Sequence, residues 1–160
     1  MKRSRIWSAK HLALGLLLVG SLVSAAEAKS RKFYRTKESF DGSQALTACA
    51  RGYHMTSLWE IHEPSTLIYD IKLGEVRDDS GSGPPEGFLG WIRTGNTSIS
   101  NSGIPGIANC SAWTTNAGGI NGTMVQLGTD WNDSSTAISP WQALLFSCDT
   151  FTGVWCVSNK

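Results

Sequence analysis

Four cysteines limit this 160-residue chain more than any other feature. Three of them, Cys110, Cys148 and Cys156, fall in the last third, between NCSAWTT and GVWCVSN, and the fourth, Cys49, stands far upstream. Their positions leave gaps of 61, 38 and 8 residues. A zinc site built on thiolates needs close pairs such as C-x2-C, and none occurs. In an oxidising compartment four cysteines pair instead, in any of three connectivities, and spacing does not choose among them.

The start of the chain predicts such a compartment. Lys2, Arg3, Arg5 and Lys10 form a basic head, Leu12 to Val23 is an apolar run short for a membrane span, and Ala26-Glu27-Ala28 ends it with small residues. Residues 1–28 therefore read as a signal peptide, an uncleaved anchor being the alternative. The expected location is secreted, extracellular or periplasmic, with no membrane span after signal cleavage. The chain is a single-domain length, and its 41% hydrophobic with 17% charged residues is a globular balance.

Charge is unevenly spread. Lys29, Arg31, Lys32, Arg35 and Lys37 crowd one end, whereas from Glu38 onward five Lys or Arg face twelve Asp or Glu. Residues 29–39 thus read as a basic N-terminal segment, a solvated tail with Phe33 and Tyr34 able to begin an edge strand, ahead of an acidic domain over 40–160. That acidic body argues against nucleic acid, which a protein meets with a basic face.

Two helices come first. Asp41 and Gln44 form a capping box before the stripe Ala45, Leu46, Cys49 and Ala50, with Gly52 placed to stop it. Ser57 and Glu60 repeat the device before Leu58, Trp59 and Ile61, and Pro64 interrupts that helix. Ser65 to Ile71 reads as a further turn or helix. After the turn-rich loop 78–85, short apolar runs divided by Gly, Asn and Ser predict strands at 89–93, 111–115, 123–127, 143–148 and 154–157. The fold class is therefore α+β. The stretches Gly95 to Asn109 and Asn116 to Pro140 supply the expected working loops.

A helix carrying a cysteine, a second helix, a WI strand at Trp91-Ile92, and then Cys110, Cys148 and Cys156 resemble the C-type lectin-like fold. NCSAWTT, Ser147-Cys148 and WCVSN are similar to the endostatin domain, and GYHMTSLWEI with GSGPPEGFLGWIRTG is similar to segments of uncharacterised secreted bacterial proteins. The resemblance spans Phe40 to Asn159. It implies two helices packed on short, mostly antiparallel strands with long loops, and nested disulfides Cys49 with Cys156 and Cys110 with Cys148.

Trp131-Asn132-Asp133 spells the WND triplet with which calcium-dependent lectins hold Ca2+ and sugar. Here Cys148 follows fifteen positions after Asp133, no EPN or QPD triplet precedes Cys110, and Asp130, Asn132 and Asp133 are too few for a six- to eight-oxygen shell. Asp78, Asp79, Ser80 and Ser82 miss the register of a calcium loop and read as a turn. His54, His62 and Glu63 would make a zinc site if two segments converged. No cofactor is expected, and calcium is the alternative. Trp59, Trp91, Trp113 and Trp155 read as core, while Trp131 and Trp141, beside a long loop, read as core covers or as faces for a sugar or a protein partner. With the cysteines paired, no thiol nucleophile remains, and neither mature histidine has a catalytic context. The expectation is a non-catalytic recognition or surface-interaction module for a protein or glycan ligand. The alternatives are a calcium-assisted carbohydrate-binding lectin using Trp131, Asn132, Asp133 and Trp141, and an exported structural protein without a small ligand.

Overall fold

A computed structural model describes residues 30–98, 101–128 and 140–160. The expected leader and Trp131, Asn132 and Asp133 lie outside the described residues. The architecture is α+β. Strands β1 (Arg31–Arg35), β2 (Tyr53–Met55), β3 (Leu67–Tyr69), β4 (Gly90–Trp91), β5 (Asn121–Leu127), β6 (Trp141–Ser147) and β7 (Gly153–Ser158) form a seven-stranded sheet. Its order is β3-β1-β7-β4-β5-β6, with β2 also paired to β7. The β1–β3 and β4–β7 pairs are parallel, and the others are antiparallel.

The last strand is the hub because it hydrogen-bonds to β1, β2 and β4. A strand covered on both faces reads as a continuous apolar run, and Gly153 to Val157 are all buried. The core gathers Phe33, Met55, Trp91, Ile92, Met124, Val125, Val154 and Trp155 around it. The two fully enclosed indoles find acceptors: Trp91 Nε1 donates to the Phe40 carbonyl and Trp155 Nε1 to the Val125 carbonyl, each at 2.9 Å. Gly90 lacks a Cβ for a reason, since one built there would stand 2.6 Å from Trp155 Cδ1.

The two disulfides join Cys49 to Cys156 and Cys110 to Cys148, the nested pairing that the resemblance implies. Their sequence separations of 107 and 38 residues correspond in the loop-entropy account to stabilisation of about 5 and about 4 kcal/mol, less any native strain.

Several expectations are corrected. The basic segment 29–39 is not a solvated tail ahead of the domain. From Arg31 it forms β1, which lies inside the sheet between β3 and β7, with Phe33, Tyr34, Arg35 and Thr36 buried. Three of its cations are matched within the fold: Arg31 pairs with Glu60, Lys32 with Asp70, and Arg35 with Glu75. The expected Cys49 helix is a single 3-10 turn, Ala45–Thr47. Asp41 Oδ1 still accepts from the Ser43 and Gln44 amides, at 3.0 and 3.2 Å, but the chain beyond turns toward the disulfide and β2. After Pro64 the expected turn forms only as a 3-10 turn, Pro64–Thr66, and the residues that follow it form β3.

The strand expected at 111–115 is a helical turn of left hand, α2 (Cys110–Trp113), with φ of 49, 53, 60 and 63° at four successive residues other than glycine. Such backbone is costly for L-residues and persists only when it is over-determined. The Asn109 side chain accepts from Ala112 N at 3.0 Å and donates to the Asn96 and Thr97 carbonyls. The Cys110 disulfide and the Trp113 indole, edge-on to Trp91 at 5.7 Å, hold the other side. Among the described residues no helix is long and apolar enough to cross a membrane.

Candidate recognition surface

Of the tryptophans, Trp141 takes the core-covering place that was one of its two readings, and Trp59 leaves the core. Trp141, a candidate ligand face, begins β6 and is buried, its ring edge-on to Trp155 at 5.0 Å and to Phe33 at 6.4 Å. It lines a groove of about 400 Å3 with Phe33, Leu67, Ile68 and Tyr69, but its ring belongs to the core. Trp59, expected in the core, is 89% exposed.

The cause is local. Helix α1 (Leu58–Ile61) is one turn long, and its inward positions are Leu58 and Ile61, three apart on one face. Trp59 therefore projects outward. The turn beneath it is firmly tied. Ser57 and Glu60 complete a reciprocal capping box: Glu60 N donates to Ser57 Oγ at 3.2 Å and Ser57 N to Glu60 Oε2 at 3.0 Å. Leu58 N donates to the Arg93 carbonyl at 2.8 Å, which fixes the turn to the segment after β4.

Glu60 is the junction of a polar network. Its Oε1 accepts from Arg31 Nη1 at 2.8 Å and lies 3.1 Å from His54 Nε2. Arg31 also donates to the Ser158 carbonyl, and His54 Nδ1 lies 2.7 Å from Asn159 Oδ1. Burial opposes the charge of Glu60, yet the Ser57 amide and hydroxyl, Arg31 and His54 outweigh it and hold the carboxyl down at about 2. The carboxylate stands between hydroxyl and imidazole, since Ser57 Oγ donates to Glu60 Oε2 at 2.9 Å. A nucleophilic serine needs the histidine next to it and the acid behind the histidine, so this order serves a cap and not a triad.

Beside Trp59 opens a cleft of about 520 Å3, lined also by Arg31, Glu63, Thr66, Leu67 and Lys160. It combines one large apolar face with charged and hydroxyl groups, the mixture that suits a small polar ligand or a side chain of a partner.

The other candidates are placed as follows. His62 and Glu63 are exposed, while His54 is half-buried and engaged by Glu60 and Asn159. Among the described residues no group of three or more His, Cys, Asp or Glu is arranged to hold a metal ion. In the loop 78–85, Arg77 N donates to Ser80 Oγ at 2.7 Å and Gly83 N to the Ser80 carbonyl at 2.9 Å, which is turn chemistry. All four cysteines are in disulfides. Of the expected working loops, the first is partly internal, with Ser102, Ala108 and Asn109 buried, and the second contains β5.

The sequence matches no protein-family model, and no curated protein and no solved structure matches it.

Proposed function

We propose that this chain is an exported, non-catalytic recognition module of C-type lectin-like architecture, whose contact surface for a protein or glycan ligand is centred on Trp59. One observation carries the reading: the indole is 89% exposed on a turn held rigid by its cap and by β1. A tryptophan buries about 150–250 Å2 when covered, which at about 25 cal/mol per Å2 corresponds to about 4–6 kcal/mol open to a partner. Exposed aromatic anchors on pre-ordered backbone are what binding surfaces use, because little freedom is lost on contact. Export is supported by the two disulfides, which fit an oxidising compartment.

The test is retention of labelled protein, wild type and Trp59→Ala, on cell-surface fractions of the producing organism and on extracellular matrix. The expected result is at least a tenfold loss of retention in the variant, with the urea midpoint unchanged. Equal retention of the two proteins would overturn the reading.

A further inference from the structure

The Trp59 cleft has a charge pattern that selects among ligands. Three cations of β1 are matched to carboxylates within the fold, Arg31 to Glu60, Lys32 to Asp70 and Arg35 to Glu75. Glu63 has no such match: among the described residues no ion pair reaches it, and its carboxylate accepts from the Ser65 hydroxyl. It is exposed, four positions after Trp59, and lines the same cleft.

We infer that the cleft receives a cationic side chain, arginine or lysine, from a basic segment of a partner protein, with the cation over the Trp59 indole and paired to the Glu63 carboxylate. The inference rests on the recognition reading above and specifies its ligand. An indole face is the best aromatic platform for a cation, and a neighbouring carboxylate supplies the charge that makes the pair selective. The charge of the domain points the same way, since from Arg31 to Lys160 nine Lys or Arg face twelve Asp or Glu, a net acidic balance that favours basic partners. Two cations share the cleft. Arg31 is committed to Glu60 and to the Ser158 carbonyl, so it does not compete for Glu63. Lys160, exposed and on a flexible stem, does compete, and its removal should strengthen binding.

The experiment follows the Trp59 indole N–H resonance, assigned through Trp59→Phe, during titration with a capped tri-arginine peptide, its citrulline counterpart, and a panel of neutral oligosaccharides. A saturable shift is expected with tri-arginine alone. The affinity should fall at least fivefold in Glu63→Gln, fall with added salt, and rise about twofold or more in Lys160→Gln. Equal shifts with citrulline, a response to the oligosaccharides instead, no response at all, or an unchanged affinity in Glu63→Gln would overturn the inference. If Trp59→Ala still loses surface retention in any of those cases, the recognition reading stands and the cationic ligand alone is refuted.

Discussion

Replacing Arg35 by methionine should destabilise the domain more than almost any other single change in β1. The residue is 7% exposed, and its guanidinium reaches four acceptors, three of them distant in the chain. It pairs with Glu75, and donates to the Leu89 carbonyl at 2.6 Å, the Thr36 carbonyl at 3.2 Å and Thr152 Oγ1 at 3.3 Å. Its Cζ also lies 5.0 Å from the Phe88 ring centre, and a Cβ on Gly153 would come within 2.5 Å of it. Burial works against its charge while Glu75 supports it, and the net direction is downward from an ordinary guanidinium. Methionine keeps the apolar stem and deletes the donors. Breaking a wholly buried pair costs about 3–5 kcal/mol. Two facts lower the figure here: the Glu75 side chain is 29% exposed and regains water, and the Leu89 carbonyl keeps the Thr152 hydroxyl at 2.8 Å. The expected loss is therefore about 3 kcal/mol, a large share of a domain's net stability. The assay is urea unfolding with both disulfides intact, read as a shift in midpoint at constant m. Adding Glu75→Leu should recover part of the loss, because the orphaned carboxylate is then gone. A loss below about 0.5 kcal/mol in Arg35→Met would refute the claim that this network locks β1 into the sheet.

Two further outcomes test the same physical account. Gly122→Ala places a Cβ 2.6 Å from Cys110 Sγ and 2.7 Å from Trp91 Cζ3, so it should cost about 1–3 kcal/mol, whereas Gly103→Ala, with nothing within 4 Å, should stay within about 0.5. Because Glu60 titrates at about 2 in the folded chain against an ordinary 4.5, its contribution to stability is whole above about pH 4.5 and is lost as the pH falls toward 2. Glu60→Gln should therefore flatten the pH dependence of the urea midpoint in that window; an unchanged slope would contradict the network around α1.

What could be read without coordinates was local or covalent. The Ser57–Glu60 capping box is a four-residue pattern and forms as its spelling predicts. The short apolar runs around 123–127, 143–148 and 154–157 became β5, β6 and β7 because each pairs into the sheet along its length. The misreadings share a cause in long-range partners. The basic run in β1 looked solvated because Glu60, Asp70 and Glu75, which match its charges, stand far along the chain. The left-handed turn at Cys110 has no spelling in a segment free of glycine; it exists because Asn109, a disulfide and Trp91 hold it from outside. Trp59 was misplaced because apolar character says nothing of side, whereas Trp141 took the core-covering place that was one of its two readings. In a one-turn helix with Leu58 and Ile61 turned inward, Trp59 faces out, and that spacing was the available signal.

The exposed indole is where the account meets its most direct test. Hydroxyl-radical footprinting, read by mass spectrometry, compares oxidation of Trp59 with that of Trp91, Trp113, Trp141 and Trp155, first in the free protein and then on the surface fraction that retains it. The account predicts that Trp59 is oxidised fastest of the five when free, and that its rate falls at least fivefold on binding while the buried indoles do not change. A Trp59 rate that is the same in both states would contradict it.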